Sequence, residues 1–467
     1  GVSANLIPFA NHNQSPRVIY QASMGKQAIG AQTPNYKHRI DSNCMSLWYP
    51  QRALCSTDFE RMIGQDEYPT TTEAVLLIAS LNGYNQEDSI LLNKASVERG
   101  FARIEVKKTI SDELNQRGND DEIFTKVSGA ANMKLTNYDL LDEDGFPQIG
   151  SRVKPGDVII GKEAQSMELG PDNKYVPIKR DRSTIAKDYG TVTGVISTIG
   201  REGKPQVKVQ ISTTRIPKVG DKFASRHAQK GTVGLLVPPE DLPFSMQTGM
   251  TPDIVINPNG FVSRMTIGML IEILAGKACA LKGCFCNATP FRQININTFM
   301  DILEAHGFSR GGTETFVNGT TGQIITTKLM MGLVSYQRLR HMVDDKINSR
   351  ATGPRHILHN QPMDGRARNG GLRCGEMERD AFISHGVSAI IQDRLLDCSD
   401  KTEVYICNKC NFICEPPHSK NFAQGIIGRS AYCRNCKAHD ARFVTIPGAF
   451  KLLSQELSAT HCIMTLK

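Results

Sequence analysis

Short apolar runs separated by turn residues dominate the first half of the chain. Residues 73–81 form a continuous apolar run of strand length, which predicts a strand buried on both faces. Residues 207–212 alternate between apolar and polar with a period of two, which predicts a half-buried strand. From about 104 to 205, runs rich in Val, Ile and Thr alternate with Gly, Pro and Asp turns. This pattern is typical of a β-rich module, and another strand and turn are predicted at 251–258.

Helices are predicted at two places beside polar loops. Pro16 disfavours helix at the preceding residue, so residues 12–16 are expected to form a loop and 18–27 a short helix. The apolar stretch from Arg264 to about Lys282 predicts a long helix with Ser263 as its N-cap. A cation in the first helical turn opposes the helix dipole. Arg264 is therefore expected either to bind an anion there or to be simply exposed.

The 467 residues are enough for about two to four domains, each with its own core. A hydrophobic content of 40% is ordinary for a globular protein. No run approaches the roughly 18 apolar residues that a membrane span needs, so we expect no membrane contact. The chain starts with Gly1-Val2-Ser3, which is not a natural beginning, and we expect a fragment, a processed product or one part of a larger polypeptide.

Positive charge is concentrated in one segment. The net charge is +8, and between Lys179 and Lys230 there are twelve Lys or Arg against four Asp or Glu. The rest of the chain therefore carries equal numbers of each sign. Such a local excess is the usual footprint of a nucleic-acid contact, although an acidic protein partner would fit it too.

The basic segment ends in the motif 220–231, Gly-Asp-Lys-Phe-Ala-Ser-Arg-His-Ala-Gln-Lys-Gly. Lys222 and Lys230 lie eight residues apart, and a glycine stands near each end. Glycine permits bends and close approaches that a side chain would block. The motif is interpreted as a phosphate-handling segment, and the alternative is a solvated basic loop.

Two neighbouring carboxylates, Glu87 and Asp88, follow the predicted strand at 73–81. On an extended backbone adjacent side chains point to opposite faces, so the two are not expected to chelate one ion tightly. A weak or water-mediated Mg²⁺ contact is the functional interpretation. The structural alternative is a solvated acidic turn or a helix cap.

Two further polar clusters are candidate contacts for phosphate and sugar oxygens. The first lies at 12–27, where a polar surface turn is the equal alternative. The second lies between Arg338 and Arg379, where eight of nine cations are Arg, whose planar fork suits phosphate. Glycines at 365, 370 and 371 suggest bends near a domain boundary.

Four of the thirteen cysteines show paired spacing. Cys407-x2-Cys410 and Cys433-x2-Cys436 are separated by 22 residues, a pattern typical of a structural four-thiolate Zn²⁺ site. Cys414 and His418 are the substitutes if one of these ligands fails. A catalytic zinc would need an open coordination position. The separate group Cys279, Cys284 and Cys286 is interpreted as buried structural thiols rather than a second metal site.

Together these segments resemble the C-terminal half of the second-largest, beta-like subunit of multisubunit DNA-directed RNA polymerase. The sequence Gly-Tyr-Asn-Gln-Glu-Asp-Ser at 83–89 is more similar to that of the nuclear messenger-synthesising enzyme and its archaeal and large-DNA-virus relatives than to that of the bacterial subunit. The similar segments follow one order along nearly the whole chain: 12–27, 83–89, 220–234, 251–272, 341–346, 370–380 and the terminal cysteine module.

The resemblance implies specific roles. Lys222 and Lys230 would face the RNA 3′ end and the phosphates of the incoming nucleoside triphosphate. Glu87 and Asp88 would lie near a nucleotide-borne Mg²⁺ shared with the largest subunit. The other residues implied to bind nucleotide, the RNA–DNA hybrid or other nucleic acid are Gln14, Arg17, Lys26, Gln27, Arg226, Arg264, Lys346 and Arg350.

The resemblance also implies an α+β multidomain fold. Residues 1–103 and 217–371 would form a discontinuous hybrid-binding core with a double-psi β-barrel, and 104–216 a wall- or flap-like β-rich domain. Residues 372–467 would be a C-terminal α/β clamp segment with a zinc-ribbon-like module, in which 375–380 dock on the largest subunit. Other implied partners are further polymerase subunits, DNA template, nascent RNA and nucleoside triphosphates. An intracellular location follows: nuclear for a eukaryotic enzyme, cytoplasmic for an archaeal one, and cytoplasm or virion for a viral one.

Two departures limit the resemblance. Ala228 stands where the family usually has glycine, and the insert at 411–432 is long and loosely matched. The chain also contains no Asp-x-Asp-x-Asp triplet, which in the family belongs to the largest subunit, so we expect no activity from this polypeptide alone. A non-catalytic zinc-containing nucleic-acid-binding protein is the alternative, and a zinc hydrolase is the third candidate.

Overall fold

The computed structural model describes residues 1–31, 33–36, 38–114, 121–130, 132–133, 136–169, 175–200, 202–414 and 431–466. They divide into two compact units, Gly1–Val343 and Asp344–Lys467. No helix within these ranges is long and apolar enough to cross a membrane.

The helices are mostly short. The α-helices are α1 (Val2–Asn5), α2 (Ser15–Met24), α3 (Asp58–Met62), α4 (Lys94–Glu98), α5 (Asn259–Arg264), α6 (Ile267–Lys282), α7 (Ile296–Ala305), α8 (Glu376–His385), α9 (Ser388–Gln392) and α10 (Gly448–Ala459). Single 3₁₀ turns occur at Ala10–His12, Gly25–Gln27, Val343–Asp345 and Arg366–Arg368, and a π-helical turn at Asp393–Asp397.

Within the described residues the strands fall into six sheets. The first thirteen are β1 (Asn43–Leu47), β2 (Cys55–Ser56), β3 (Thr72–Ile78), β4 (Ser89–Asn93), β5 (Ile104–Glu113), β6 (Asp121–Phe124), β7 (Arg152–Val153), β8 (Val158–Ile160), β9 (Lys162–Leu169), β10 (Tyr175–Asp181), β11 (Thr184–Ile185), β12 (Gly190–Ile199) and β13 (Pro205–Arg215). The others are β14 (Lys222–Ser225), β15 (Lys230–Val237), β16 (Phe244–Ser245), β17 (Ile254–Ile256), β18 (Cys286–Asn287), β19 (Thr313–Val317), β20 (Ile324–Arg338), β21 (Lys401–Cys407), β22 (Ile413–Cys414) and β23 (Ala441–Pro447).

Six strands of the first unit form a closed ring. The order around the ring is β14-β15-β4-β17-β3-β20, and β14 closes it by pairing with β20 as well as with β15. The pairs β15 with β4 and β17 with β3 are parallel, and the others are antiparallel. The predicted strands at 73–81 and 251–258 are confirmed as β3 and β17. They are neighbours in this ring, and the motif 220–231 spans β14 and the start of β15.

The predicted β-rich module is confirmed. Its largest sheet has the order β1-β5-β13-β12-β7, and β13 contains the half-buried strand predicted at 207–212. Along β13 the apolar side chains Val207, Val209 and Ile211 are buried at every second position, as its sequence pattern requires. They pack with Ile159 and Ile160 in a core separate from that of the ring.

The long helix predicted from Arg264 is interrupted. Met265 adopts a left-handed conformation (φ 52°), so α5 ends at Arg264 and α6 starts at Ile267 after Thr266. The N-cap prediction for Ser263 was therefore wrong, and Arg264 lies in the last turn of α5, where the helix dipole favours a cation. α6 packs tightly on β20. A Cβ at Gly276 would approach the backbone oxygen of Leu333 to 2.4 Å.

The first predicted helix starts earlier than expected. α2 begins at Ser15, and Pro16 occupies its first turn. Backbone N–H groups in the first turn have no partner within the helix, so the N–H that proline lacks costs no helical hydrogen bond. The prediction that the residue before Pro16 stays outside the helix was wrong. Gln14, extended at the N-cap, is the last residue of the loop.

The second unit is built on the small sheet β22-β21-β23. β21 and β23 pair along their full length, from Lys401↔Pro447 to Cys407↔Ala441. Val404, Ile406 and Ile446 form its apolar core together with partly buried side chains such as Phe450 of α10. Cys407 ends β21, and Cys410 lies in the turn that follows the strand.

Candidate functional site

Two lysines mark the start of neighbouring strands in the closed ring. Lys222 lies opposite Thr232, and Lys230 lies opposite Ala224 in the antiparallel pair of β14 and β15. Lys230 is exposed and Lys222 is half-buried. Neither ammonium group forms an ion pair with any residue that the structure describes. Both charges are therefore available to an anionic ligand at this end of the ring.

The turn that joins these strands is buried. Arg226 is only 3% exposed, and its guanidinium contacts Glu272 at 2.6 Å and Glu60 at 3.2 Å. It also donates to the backbone oxygen of Cys55 at 2.7 Å. The implied contact between Arg226 and nucleic acid does not fit this burial, because both terminal nitrogens are engaged within the protein. Arg226 instead holds the turn against Glu272, Glu60 and the backbone of Cys55.

Glu272 is the buried anion of this network. Burial opposes its ionisation, but the charge of Arg226 and hydrogen bonds from His227 and Arg226 outweigh that effect and lower the pKa of Glu272 to about 2. Sequence reasoning missed Glu272. The detectable signal was a carboxylate inside the otherwise apolar run of α6, which is normally buried only with a partner.

His227 connects the motif to the loop before α2. Its Nε2 lies 2.5 Å from Glu272, and its Nδ1 lies 2.9 Å from the side-chain nitrogen of Asn13. An amide nitrogen can only donate, so Nδ1 accepts and Nε2 carries the proton. The side-chain oxygen of Asn13 in turn accepts from the backbone N–H of Gly268 at 3.0 Å. Asn13, also missed from the sequence, thus ties together the loop, the motif and the start of α6.

Ala228 occupies a position that favours glycine. Its φ is 59°, in the left-handed region, and the residue is buried. Such a conformation costs a residue with a Cβ roughly 1–2 kcal/mol. The backbone N–H of Ala228 donates to Gln21 at 3.3 Å, which holds the turn in place. The expected restriction of the backbone beside Lys230 therefore has a structural basis.

The acidic pair lies in a turn and not on an extended backbone. Glu87 and Asp88 have φ values of 46° and 73°, so the expectation that strand alternation would direct them to opposite faces was wrong. Glu87 is exposed, whereas Asp88 forms an ion pair with Arg264. The turn packs directly on the lysine motif. A Cβ at Gly231 would approach the backbone oxygen of Asp88 to 2.4 Å, so only glycine permits this contact.

Gln229 links Arg264 to the motif. Its side-chain oxygen accepts from Arg264 at 2.7 Å, and its side-chain nitrogen donates to Thr266 at 2.7 Å. Lys230, Asp88 and Arg264 therefore converge at one place, although they come from three separate parts of the chain.

The remaining candidates are more dispersed. Gln14 and Lys26 are exposed at the two ends of the α2 region, and Arg17 is half-buried within α2. Gln27 is held by His341, whose Nε2 lies 2.8 Å from its side-chain oxygen. Lys346 and Arg350 belong to the second unit, in which Arg350 donates to the backbone oxygen of Asn369 at 2.8 Å.

The four paired cysteines converge in the second unit. The Sγ atoms of Cys407, Cys410, Cys433 and Cys436 all lie within 4.8 Å of one another, and those of Cys410 and Cys433 are 3.4 Å apart. In a tetrahedral zinc–thiolate site with bonds of about 2.3 Å, the sulfur atoms are about 3.8 Å apart. Backbone N–H groups of Cys410 and Lys409 lower the pKa of Cys407 to about 6, which favours the thiolate that a metal needs.

The residues present fit a closed Zn²⁺ site. Four sulfur donors complete a tetrahedral shell and leave no position for a reacting water, so a zinc hydrolase is not favoured. The sulfur of Cys414 lies outside this group and contacts the backbone oxygen of Phe412 at 3.6 Å. His418, the other substitute, and most of the long insert lie outside the described residues.

The other thiols show a mixed outcome. Cys279 and Cys286 are buried as predicted, but Cys284 is exposed after the left-handed Gly283 that ends α6. The interpretation of Cys284 as a buried thiol was therefore wrong. Cys286 pairs in register with Cys55 of β2, so the two buried thiols belong to a local apolar core.

Replacing Cys407 by Ser should remove bound zinc and unfold the β21–β23 sheet while leaving the ring of the first unit intact. A four-thiolate site supplies folding energy directly, and serine cannot replace a thiolate ligand. Zinc content by mass spectrometry and hydrogen exchange of β21 would measure both effects.

Cys462→Ser is the matched control for this variant, because Cys462 is an exposed thiol of the same unit. It should keep its zinc and its exchange pattern. A normal zinc content in the Cys407→Ser protein would count against the ligand assignment.

Comparison with known proteins gives matches along nearly the whole chain. The family model "RNA polymerase Rpb2, domain 6" matches residues 3–368, and "RNA polymerase Rpb2, domain 7" matches residues 370–467. DNA-directed RNA polymerase II subunit RPB2 of Schizosaccharomyces pombe is 43% identical over 99% of this chain and 38% of its own length.

Two other relatives extend this similarity. The RPB2 subunit of Encephalitozoon cuniculi is 42% identical over 98% of this chain and 40% of its own length. The archaeal subunit Rpo2 of Saccharolobus solfataricus is 41% identical over 98% of this chain and 41% of its own length. The chain thus spans about two fifths of the curated relatives that it matches.

Proposed function

Because the chain belongs to the Rpb2 family of DNA-directed RNA polymerase subunits, we propose that it supplies one side of a polymerase active centre. The observation that carries this proposal is the convergence of Lys230, Arg264 and the acidic turn at Asp88 on one edge of the closed ring. Lys222 is the fourth member, on the adjacent strand. Phosphoryl transfer requires charge neutralisation more than covalent catalysis. Three cations beside one acidic turn suit that requirement.

The architecture supports a more detailed assignment. We assign the closed ring of six strands as the double-psi β-barrel of a hybrid-binding core. The separate β-rich module is assigned as the wall- or flap-like domain, and the second unit as a clamp segment with a zinc-ribbon-like module that holds structural Zn²⁺. Gln14, Arg17, Lys26 and Gln27 line the proposed path of the RNA–DNA hybrid, with Lys346 and Arg350 as further nucleic-acid contacts.

The proposed chemistry divides between cations and acids. Lys222 and Lys230 bind phosphates of the RNA 3′ end and of the incoming nucleoside triphosphate, and Arg17 and Arg264 bind further nucleotide oxygens. Glu87 and Asp88 would help to hold a Mg²⁺ ion together with the largest subunit, and that ion would supply charge neutralisation for phosphoryl transfer. Arg226 acts indirectly, by holding the turn between the two lysines.

The proposed partners follow from the incomplete metal site. The sequence lacks the acidic triplet needed to hold a permanent metal ion, so the chain works within a complex that includes the largest subunit and other polymerase subunits. DNA template, nascent RNA and nucleoside triphosphates are its proposed ligands. The location is intracellular, in the nucleus or cytoplasm according to the type of enzyme.

Replacing Asp88 by Asn in the assembled polymerase should raise the Mg²⁺ concentration for half-maximal nucleotide addition by about three- to tenfold. The amide removes the charge that attracts the ion, and an outer or weak Mg²⁺ contact contributes about 1 kcal/mol. The measurement is a Mg²⁺ titration of single-nucleotide addition on a DNA–RNA scaffold.

Asp301→Asn is the control. Asp301 is an exposed acid that forms an ion pair with Arg310 and lies far from Asp88 in the sequence. It should leave the Mg²⁺ titration unchanged. The non-catalytic nucleic-acid-binding alternative leaves the acidic turn without a role. Identical Mg²⁺ titrations for Asp88→Asn and the unaltered enzyme would favour that alternative.

A further inference from the structure

A small polar cavity lies among the residues of the proposed nucleotide site. Its volume is about 20 Å³, which accommodates a single water molecule. Its lining includes Asp88, Gln229, Lys230 and Arg264, whose side chains carry polar groups that can hold that water.

Tyr336 of β20 forms another part of this wall. The residue is only 2% exposed, and its buried hydroxyl has no hydrogen-bond partner in the described part of the chain. A buried hydroxyl without a partner is costly, and such groups are usually satisfied by protein or ordered water. Burial and the nearby charge of Glu272 raise the pKa of Tyr336, so the phenol keeps its proton and can donate.

The other groups around the cavity are already partly paired. Arg264 contacts both Asp88 and the side-chain oxygen of Gln229. The side-chain nitrogen of Gln229 donates to Thr266 and to the backbone oxygen of Gly260. Oxygen acceptors therefore remain on Asp88 and Gln229, the same two residues that hold Arg264.

We propose that this cavity binds one ordered water that accepts from Tyr336 and donates to Asp88 and Gln229. Tyr336 is then a positioning residue, since it braces Arg264 through the two side chains that contact it and does not itself touch the nucleotide. This inference rests on the proposed function, because the orientation of Arg264 matters only if it binds a nucleotide phosphate.

The test is Tyr336→Phe in the assembled polymerase. Loss of one hydrogen-bonded brace should raise the apparent KM for the nucleoside triphosphate by about three- to tenfold, with a smaller effect on kcat and none on template affinity. The melting temperature should change little, because the variant breaks a hydrogen bond to water and none to another protein group. A high-resolution structure of the unaltered complex should show water in the cavity, and that of the variant should not.

Tyr138→Phe is the matched control. Tyr138 is also buried, but its hydroxyl lies 2.5 Å from Asp181 within the β-rich module. That variant should lower the melting temperature and leave KM unchanged, the opposite pattern to Tyr336→Phe.

Two results would overturn the inference. One is an unchanged KM in Tyr336→Phe, and the other is a dry cavity in a well-resolved structure of the unaltered complex. Both differ from failure of the proposed function, which is measured with Lys222 and Lys230. If variants at those lysines impair nucleotide addition and Tyr336→Phe does not, only the role of Tyr336 is wrong.

Discussion

Replacing both Lys222 and Lys230 by Ala in the assembled polymerase should slow nucleotide addition by about 100- to 1,000-fold. A hydrogen bond to a charged group contributes roughly 1.5–3 kcal/mol, and each factor of ten in rate corresponds to about 1.4 kcal/mol. Template binding should weaken by no more than about threefold, because it draws on many other phosphate contacts. Single-turnover addition and scaffold binding by fluorescence anisotropy would measure the two effects.

This pair of substitutions should not disturb the fold. Neither ammonium group has an ion-pair partner in the described structure, so no buried acid is left without its counterion. Lys187→Ala with Lys208→Ala is the control, since it removes the same charge from the same basic segment without touching the ring. Equal, small losses of addition and binding in the Lys222 and Lys230 variant would refute the polymerase assignment and favour the non-catalytic alternative.

Glu272→Gln should lower the local free energy of unfolding around β14, β15 and α6 by about 2–4 kcal/mol. Removing one partner of a buried ion pair leaves the other charge desolvated, and of its two ion pairs with described residues Arg226 would keep the one with Glu60. Hydrogen exchange of amides in these elements, measured in the assembled complex, reports this local stability.

The pH dependence supplies a second measurement of Glu272. Its pKa in the fold, about 2, is below its ordinary value of 4.5. The ionised carboxylate therefore stabilises the fold fully above about pH 4.5, and this stabilisation is lost as the pH falls toward 2. The Glu272→Gln protein should lack this contribution.

Glu304→Gln is the control for both measurements, because Glu304 is 61% exposed and its pairing with Arg310 lies at the surface. A change below about 0.5 kcal/mol in Glu272→Gln would show that the buried network does not hold the motif in place.

Local patterns predicted the strands of this protein well and its turns poorly. The apolar run of β3 and the alternation of β13 are properties of a few consecutive residues, and both strands formed where expected. The break between α5 and α6 was not predictable from periodicity, since it depends on the left-handed backbone of a single methionine. An acidic turn was only the structural alternative at Glu87 and Asp88, and the sequence did not decide between that turn and an extended backbone; their positive φ values show that the turn is correct.

The candidate site was found from the sequence in its parts but not in its arrangement. Lys222, Lys230, Asp88 and Arg264 were singled out as separate candidates for contacts with phosphate or Mg²⁺, and their specific roles at an active centre came only from the resemblance. Their convergence was not predictable, since Asp88 and Arg264 are 176 positions apart in the chain.

By itself the sequence determined the four zinc-ligand candidates and two strands of the ring, β3 and β17. Ligand pairs two residues apart and runs of strand length act over a few residues, so they need no knowledge of the fold. Only the tertiary structure decided which cations face a ligand and which are buried. Arg226 and Lys230 lie in one short basic motif, yet one contacts Glu272 of α6 and the other is exposed. The physical reason is that burial and charge pairing depend on the elements that pack around a residue, and these come from distant parts of the chain.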